Sequence, residues 1–382
     1  MNMVKTGLLS DIQVIERIFD HIDNKTTDMG DEDWYEPVEN YKSQERFELE
    51  RQLMRRLPIP FCPVAALLGP GSYVAHPAAG TPIVVVRDTQ GEIRAFRNAC
   101  RHRGKQIVEG EGCTKIFKCG YHGWAYRLDG LLEHIPDAHG FPNIDKSTHG
   151  LVPVGVEVKG GIVFVTQETA VSSGALEELP DLLPSNLSVF SSTDNTSSIN
   201  WKLNMEATME GYHIKATHGK TFYPYGYDNL NVVETMGQNS RLTFPFRRIE
   251  RLRDVPRKEW KVDRMLTYVH NVFPLTTVAV LSNHTVMTIS EPISPTCTRY
   301  YNYKMGVIDP DKKVDLERVK KDADFVSDTG LQEDTAVIRE IQAGMASGAN
   351  THFTYGRFEK CIVHFHKNLD ENLKKMEQLH IV

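Results

Sequence analysis

The chain has 382 residues, of which 40% are hydrophobic and 25% charged, and its formal net charge is −6 at pH 7. These values are typical of a globular protein with about two domains, and the acidic balance excludes nucleic acid as the main partner. No apolar leader and no run of about 18 apolar residues occur, so we expect no membrane span. The six cysteines form no disulfide framework, which predicts a reducing, cytoplasmic location.

Two helices are predicted before the first strands. Residues 8–23 place apolar side chains at the spacing of one helical face, with Ser10 as the expected N-cap. A second, charged helix is predicted over about 43–56 and ends before Pro58. The acidic stretch 28–36 between them is expected to be a solvated loop.

Short strands and tight turns follow the second helix. The runs at 82–88 and 92–98, rich in Val, Ile and Phe, predict a hairpin. Further tight turns are predicted at residues 129–130 and 160–161. We therefore expect a small antiparallel β module that presents two loops at its tip.

The two loops, within residues 98–124, each hold one cysteine and one histidine. Cys100 and His102 form a C-x-H pair, and Cys119 and His122 form a C-x-x-H pair. Two thiolates and two imidazoles at these spacings indicate a soft metal centre. Zinc usually takes C-x-x-C followed by H-x3-5-H, whereas one Cys and one His per loop suits a cluster with two unlike irons. On the residues alone both metals stay open.

A second constellation lies further along the chain. Glu206, Glu210 and His213 fall at i, i+4 and i+7, which places them on one face of a predicted helix. His218 lies five residues further, roughly 140° around an ideal helix, so we expect the helix to end or distort at Gly219. Two histidines and one carboxylate are the usual ligand set of non-haem Fe(II). Two unrelated helical histidines are the alternative.

The two constellations together resemble one known family. Residues 98–124 match a C-x-H-R-G … C-x-x-H-G-W signature, and residues 206–218 match an E-x-x-x-E/D-x-Y-H-x4-H segment. Both belong to the terminal oxygenase (alpha) component of the Rieske non-haem iron aromatic ring-hydroxylating oxygenases. The resemblance implies a [2Fe–2S] Rieske cluster bound by Cys100, His102, Cys119 and His122, and a mononuclear Fe(II) bound by His213 and His218.

The resemblance also implies roles beside the iron ligands. Glu210 corresponds to the acidic residue that bridges His213 to a cluster histidine of the neighbouring subunit, here His122. Tyr212 matches the tyrosine of the motif and is predicted to pack beside the ligands rather than to react. Ala207 stands where the family often has Asn, so no Asn is expected near the iron.

The family's third iron ligand is a carboxylate on a C-terminal helix, where this chain offers Glu333 and Asp334. Asp334 continues an apolar stripe with Ile338, Ile341 and Met345 at i, i+4, i+7 and i+11. A carboxylate on a buried stripe needs a partner such as a cation. We therefore predict Asp334 as the ligand and Glu333 as the fallback. A plain acid stabilised by the helix dipole is the alternative.

The predicted fold class is α+β. Strands are predicted over residues 264–308, and the resemblance implies a helix-grip domain, a curved antiparallel sheet with C-terminal helices. We expect an N-terminal helical segment that packs with the catalytic domain (1–57), a small antiparallel β Rieske [2Fe–2S] domain (58–168) and a catalytic mononuclear non-haem iron domain (169–382).

The resemblance implies the terminal oxygenase component of a multicomponent system. It would use O2 and electrons from a separate NAD(P)H-dependent reductase, with or without a ferredoxin, to mono- or dihydroxylate a small organic substrate. An aromatic substrate is expected first, and a homotrimer with or without a small β subunit. The alternatives are a monooxygenase or demethylase acting on a quaternary amine or other non-aromatic molecule, a Rieske electron-transfer protein, and a non-catalytic homologue.

An aromatic run after His218 has two interpretations. Phe222, Tyr223, Tyr225 and Tyr227 would either line a pocket for a ring or a cation, or form a packed loop, which is the stronger expectation. Histidines without ligand spacing are predicted in strands, at a pocket rim or at the surface: His270, His284, His352, His364 and His366.

Overall fold

The computed structural model describes residues 8–171, 176–307, 316–325 and 331–379. Within these ranges the α-helices are α1 (Asp11–Asn24), α2 (Glu39–Lys42), α3 (Gln44–Arg55), α4 (Trp201–Ala207), α5 (Ile214–Thr217), α6 (Leu316–Phe325), α7 (Leu331–Gly344) and α8 (Lys360–Leu379). The strands are β1 (Trp34–Pro37), β2 (Ile59–Pro63), β3 (Ser72–Ala78), β4 (Thr81–Arg87), β5 (Ile93–Arg97), β6 (Gly110–Cys113), β7 (Phe117–Lys118), β8 (Ala125–Tyr126), β9 (Leu132–His134), β10 (Pro153–Lys159), β11 (Ile162–Thr166), β12 (Leu187–Ser197), β13 (Val232–Met236), β14 (Asn239–Pro245), β15 (Leu266–Val272), β16 (Thr276–Val280), β17 (Thr285–Ser294), β18 (Cys297–Val307) and β19 (His352–Tyr355). None of the described helices combines the length and apolarity that a membrane crossing requires.

The first helix forms because its sequence both caps and buries it. Ser10 accepts the backbone N–H of Gln13 at 3.4 Å, and the Gln13 side chain accepts the Ser10 N–H at 2.9 Å. This capping box satisfies N–H groups that the helix itself leaves free. The apolar face of α1 then packs against β13 and β15. Both helices predicted near the N-terminus are confirmed, and Ser43 caps α3.

The acidic stretch 28–36 is solvated in its middle, where Asp31, Glu32 and Asp33 are exposed, but the predicted solvated loop is wrong at both ends. Asp28 is only 4% exposed, because it accepts hydrogen bonds from Arg17 Nε at 2.9 Å and from the Val233 N–H at 2.7 Å. Glu36 lies in β1, which pairs with β19, and is 1% exposed. Both acids are buried against partners distant in sequence, which composition along the chain cannot reveal.

The predicted β module contains a sheet in the order β2-β11-β10-β5-β4-β3-β6 and a smaller sheet in the order β7-β8-β9. The β4–β5 hairpin is confirmed, as is the β10–β11 hairpin that turns at Gly160-Gly161. Both glycines have positive φ, as this tight turn requires. A local apolar core that includes Phe117 and Trp124 lies beneath the two cysteine–histidine loops, so packing fixes those loops in place.

The larger sheet runs in the order β12-β18-β17-β16-β15-β14-β13. Its pairs are antiparallel, which confirms the strands predicted over 264–308. Helix α8 contributes Ile362 and Phe365 to the core of this sheet. The same core includes Ile83 and Val163 of the β module, so the module packs directly on the larger sheet.

The single helix predicted through Glu206, Glu210 and His213 is wrong, because α4 ends and α5 begins within it. Gly211 lies in the break, where a Cβ would collide with the side chain of Asn231. Helical spacing predicts a continuous helix here, but the chain at Gly211 lies too close to Asn231 to carry a side chain. Glu206 and Glu210 therefore face different surroundings.

Candidate functional site

Each cysteine–histidine loop is closed by backbone hydrogen bonds. In the first loop the Cys100 N–H donates to the Lys105 carbonyl at 2.9 Å, and the Gly104 N–H donates to the Cys100 carbonyl at 2.8 Å. In the second the Cys119 N–H donates to the Trp124 carbonyl at 2.8 Å. Gly104 has a φ of 76°, a conformation that other residues rarely adopt. The two loops thus share one construction.

The structure places the two predicted cluster cysteines in one apolar core with Trp124, and the two predicted histidines side by side next to that ring. Cys100 and Cys119 are 4% and 3% exposed, and the rings of His102 and His122 lie 4.7 Å apart. His122 is exposed. Two buried sulfurs with two imidazoles nearer the surface fit a cluster of two unlike irons. Binding of the cluster by these four side chains stays a prediction.

Aromatic rings hold both imidazoles. His102 stacks on the buried ring of Trp124, with centroids 5.0 Å apart and 6° between the planes. His122 stacks on Tyr121 at 3.7 Å, and the Arg103 guanidinium lies 5.4 Å from the same ring. Tyr121 is 54% exposed. His102 therefore packs against a buried ring, and His122 packs against an exposed one.

The hydroxyl of Tyr126 contacts one of the sulfurs, which the sequence analysis missed. It lies 3.2 Å from Cys100 Sγ and accepts the Arg101 N–H at 2.9 Å. Because its oxygen already accepts a hydrogen bond, its proton is free to point at the sulfur. Burial and the contact with Cys100 raise the pKa of Tyr126, so the hydroxyl remains a donor. Its place two residues after Trp124, directly after the second cysteine–histidine loop, was the available signal.

In the second constellation the structure gathers His213, His218 and Asp334. One ligand-type atom of each lies within 4.8 Å of the others. Asp334 Oδ1 is 2.9 Å from His218 Nε2 and 3.6 Å from His213 Nε2. Two imidazole nitrogens and one carboxylate oxygen that converge in this way fit an Fe(II) bound on one face, with its remaining positions open.

Glu333, the fallback ligand, occupies a different position. Its Oε2 accepts hydrogen bonds from His218 Nδ1 and from Thr221 Oγ1, both at 2.7 Å. It therefore contacts the ring nitrogen opposite the one that faces Asp334. A carboxylate there fixes the imidazole tautomer and leaves Nε2 with a lone pair for a metal. The geometry favours Asp334 as the ligand and Glu333 as the residue that orients His218.

Glu210 orients the other histidine, His213. It accepts a hydrogen bond from His213 Nδ1, and also from the backbone N–H groups of Tyr212 and His213, the last at 3.1 Å. Tyr212 is 58% exposed and packs on Phe358, with ring centroids 4.4 Å apart. Glu210 thus contacts an iron-site histidine on one side, and its bridge to a neighbouring subunit stays a prediction.

The apolar stripe that selected Asp334 is only partly buried. Ile338 and Met345 are 3% and 7% exposed, but Ile341 is 40% exposed. The expectation of a continuous inward stripe is therefore wrong at Ile341. Distance to the two histidines, rather than burial of the stripe, favours Asp334.

The electrostatics of this site favour a cation. Burial opposes protonation of both imidazoles, but the neighbouring carboxylates outweigh it. Glu210 and Asp334 raise the pKa of His213, and Asp334 and Glu333 raise the pKa of His218. The negative potential that draws protons to these nitrogens also attracts a metal cation.

The carboxylate of Glu206 anchors a buried network near the site, which the sequence analysis also missed. It accepts hydrogen bonds from Tyr41 at 2.6 Å, Tyr355 at 2.8 Å and His366 Nε2 at 2.9 Å. Glu36 lies 3.5 Å from the other ring nitrogen of His366. His366 is 1% exposed in α8, so its predicted place in a strand, at a rim or at the surface is wrong. The network joins segments that no local spacing connects.

The aromatic run after His218 is packed only in part, because Tyr225 is 62% exposed. The guanidinium of Arg247 lies 5.1 Å from the ring centroids of both Tyr223 and Tyr227. The exposed Arg247 thus occupies ring faces of Tyr223 and Tyr227 that would otherwise be available to a substrate cation. Phe222 is different, because its ring lies 4.8 Å from that of His218.

The fold and the two side-chain clusters define an iron–sulfur protein with a second, mononuclear-iron type of domain. The family model described as "Rieske [2Fe-2S] domain" matches residues 58–145, and that described as "Ring hydroxylating alpha subunit (catalytic domain)" matches residues 184–375. The chain belongs to the ring-hydroxylating alpha-subunit family.

Curated relatives are oxygenase subunits. The carnitine monooxygenase oxygenase subunit of Escherichia coli (strain K12) is 33% identical over 199 residues, which cover 49% of this chain and 53% of that protein. The chain thus spans about half the length of this relative. The chloroplastic choline monooxygenase of Arabidopsis thaliana is 26% identical over 318 residues, which cover 76% of this chain and 71% of that protein.

Solved structures share the fold. The quaternary ammonium Rieske monooxygenase CntA superposes with a TM-score of 0.75 at 21% identity, covering 89% of this chain and 95% of that chain. Naphthalene 1,2-dioxygenase from Rhodococcus sp. superposes with a TM-score of 0.71 at 18% identity, covering 95% and 99%. At these identities the likeness establishes the fold, and the predicted α+β class is confirmed.

Proposed function

We propose that this chain is the terminal oxygenase component of a multicomponent system that hydroxylates a small organic substrate with O2. The convergence of His213, His218 and Asp334 in a chain that also has a Rieske domain is the observation that carries this proposal. A protein that only carried electrons would need no second metal site. Glu210 and Glu333, which orient the two histidines, argue against a non-catalytic homologue.

The two proposed metal centres have complementary chemistry. When bound, the [2Fe–2S] cluster would supply single electrons, and the Fe(II) would offer open positions for O2 beside the substrate. Glu333 and Glu210 hold the Nδ1 protons of His218 and His213, so that both Nε2 lone pairs face Asp334. The sequence has no G-x-G-x-x-G nucleotide motif after a strand. A separate NAD(P)H-dependent reductase, with or without a ferredoxin, would therefore supply the electrons.

Of the substrate classes that the sequence left open, a quaternary amine fits better than an aromatic acid. Burial and the charges of Glu210 and Glu206 raise the pKa of Glu359 to about 7, against the hydrogen bond from the Gly356 N–H. Besides burial, the raised pKa of Glu359 reflects the negative potential that Glu210 and Glu206 create beside His213. That potential stabilises a small organic cation and repels an aromatic acid. The names of relatives that act on carnitine, glycine betaine and choline support the same class.

The proposed assembly is a homotrimer in which the cluster of one subunit faces the iron of the next. His122 and Tyr121 are exposed and accessible to a neighbouring chain. Exposed basic side chains surround them, whereas acids surround the iron ligands, so the two surfaces have complementary charge. These basic residues are Arg101, Arg103, Lys105 and Lys118. The proposed location is a reducing cytoplasm, because the cysteines are free thiols.

Mixing two inactive variants tests the assembly. Cys100→Ser disables the cluster and Asp334→Ala disables the iron site, so each homotrimer should be inactive. Co-refolded or co-expressed chains should regain activity, because an intact cluster can then face an intact iron on another chain. Mixtures as inactive as the parents would contradict electron transfer between subunits.

A substrate panel tests the activity itself. The iron-loaded protein, a reductase and NADH would be assayed for O2 uptake and for product with quaternary amines and aromatic acids. We expect substrate-dependent uptake and a hydroxylated or dealkylated product with a quaternary amine only. Product from an aromatic acid would overturn the substrate class and leave the oxygenase assignment intact. No uptake with any substrate would favour an electron carrier.

A further inference from the structure

A buried carboxylate of the larger sheet holds the tip of a hairpin in the β module. Glu291 in β17 is 4% exposed. Its Oε2 accepts the Ala79 N–H at 3.0 Å, and its Oε1 accepts the Gly80 N–H at 2.7 Å. Ala79 and Gly80 connect β3 to β4. The two bonds therefore join sheets that are formed by distant parts of the chain.

The β3–β4 turn (residues 78–81) presents both N–H groups to one acceptor because of its backbone conformation. The φ angles are 48° at Ala79 and 76° at Gly80, as in a type I′ turn. Two successive N–H groups in such a turn form a concave site for an anionic oxygen. A residue other than glycine rarely adopts a positive φ, so the conformation of Ala79 needs support from its surroundings.

The carbonyls of the same turn are bound from another direction. Arg55 Nε at the end of α3 donates to the Ala79 carbonyl at 3.1 Å. Gln167 Nε2, just after β11, donates to the Ala78 carbonyl at 2.7 Å. The amides of the turn are thus fixed to the larger sheet, and its carbonyls to α3 and the β11 edge.

The turn is also coupled to the first cysteine–histidine loop. The Pro82 carbonyl accepts the Asn98 N–H at 2.9 Å. The Asn98 side chain donates to the Val108 carbonyl at 2.7 Å and accepts the Ile107 N–H at 3.0 Å. Asn98 and Val108 flank the loop that contains Cys100. A displacement of the turn would therefore be transmitted to this loop.

We propose that Glu291 is a positioning residue, whose hydrogen bonds to the β3–β4 turn set the orientation of the β module and its cysteine–histidine loops on the larger sheet. A second polar contact between the two sheets, from Ser192 to Glu111, is less able to set this orientation. Ser192 Oγ donates to Glu111 Oε1 at 2.7 Å at an exposed position, where water competes for both groups. Glu291 makes its contacts away from water.

The contact between Glu291 and the β3–β4 turn depends on whether the Glu291 carboxyl group is protonated. Burial raises the pKa of Glu291 to about 7, against the two turn amides and the positive charges of Arg51 and Arg55 on α3. Tyr301 on β18 is also within electrostatic reach of this carboxyl group. Because the pKa of the buried carboxyl group lies above the ordinary value for glutamate, Glu291 binds a proton more tightly when it is packed against the turn than when the turn has moved away and water reaches it. The stabilisation is complete below the unfolded pKa and is lost as pH rises through about 7.

Hydrogen–deuterium exchange of the peptide that contains Ala79 and Gly80 tests this in the metal-loaded protein. After correction for intrinsic exchange, the wild-type turn should exchange up to about tenfold faster per pH unit as pH rises from about 4.5 to about 7, and the profile should level off above that. In Glu291→Gln the side-chain amide can accept only one of the two turn N–H bonds. Its turn should exchange at least about tenfold faster than wild type in mildly acidic buffer, with a flat pH profile. Ser192→Ala is the matched control and should stay within about twofold of wild type.

Equal exchange of the turn in wild type and Glu291→Gln would overturn the proposal. So would faster exchange spread evenly over the β module, rather than confined to the turn and the loop around Cys100. Should Glu291→Gln fail to fold, the wild-type pH profile decides by itself, and a flat profile contradicts the proposal.

Discussion

Asp334 Oδ1 lies 2.9 Å from His218 Nε2. A carboxylate oxygen and an imidazole nitrogen both carry lone pairs, so this distance requires a proton or a metal cation between them. His213 completes the set and Glu333 orients His218 from the opposite ring nitrogen. The proposed oxygenase chemistry depends on this contact.

Two neighbouring carboxylates should have separable effects on the iron. Asp334→Ala removes a proposed ligand and should abolish mononuclear iron binding, while the visible spectrum of the cluster is unchanged. Glu333→Gln keeps all three ligands but weakens the orientation of His218, so iron affinity should fall by about 10–100-fold. Metal analysis after dialysis measures both. Equal iron loss in the two variants would contradict the assignment of Asp334 as the ligand and Glu333 as the residue that orients His218.

Glu210→Gln should retain both metal centres yet slow product formation by at least about tenfold. The carboxylate accepts hydrogen bonds from His213 Nδ1 and two backbone N–H groups, and an amide cannot replace all of them with the same charge. Turnover with a reductase, normalised to iron content, is the measurement. Glu340→Gln, an exposed substitution on α7, is the control. Normal turnover of Glu210→Gln would refute its role between the centres.

Tyr126→Phe should lower the reduction potential of the cluster. Its hydroxyl lies 3.2 Å from Cys100 Sγ, and a hydrogen bond to sulfur stabilises the more negative, reduced form. Loss of about 1 kcal/mol corresponds to a shift of about 40 mV for a one-electron couple. A redox titration followed by electron paramagnetic resonance would detect it. An unchanged potential would mean that the hydroxyl proton points elsewhere.

His270 should make the fold sensitive to acid. Burial, reinforced by the charge of Arg241, lowers the pKa of His270 to about 3. Unfolded histidine, with a pKa of about 6.5, binds a proton that the folded site rejects, so stability is lost as pH falls below about 6.5, by about 1.4 kcal/mol per unit. Denaturant unfolding across pH should show a flatter profile for His270→Gln. His139→Gln, at an exposed position, should leave the profile unchanged.

Local spacing predicted the candidate cluster residues and the two histidines of the iron site, whereas the family resemblance placed the third iron ligand on a C-terminal helix. Only a few residues separate the cysteine from the histidine within each loop, and His213 from His218. Their convergence therefore needs little knowledge of the fold. The choice between Glu333 and Asp334 was harder, because neighbours on a helix differ by a rotation of roughly 100°. Their separate contacts with the two nitrogens of His218 became visible only in the structure.

Contacts between distant segments were not predictable. Glu206 bonds to Tyr41, Tyr355 and His366, which come from separate parts of the chain. Local helical spacing also gave the wrong answer around Gly211, which lies in a helix break and so close to Asn231 that a side chain would not fit. The sheet and its strands were predictable because alternation and turn residues act over a few positions.

A single turnover without reductase tests the central claim most directly. The cluster and iron would be chemically reduced, the reductant removed, and O2 added with a quaternary amine. We expect the cluster to be reoxidised together with the formation of product in the wild type. In Asp334→Ala the cluster should stay reduced for much longer and no product should form. Product without cluster oxidation, or equally fast cluster oxidation in both proteins, would contradict the proposal that the cluster supplies electrons to an iron at His213, His218 and Asp334.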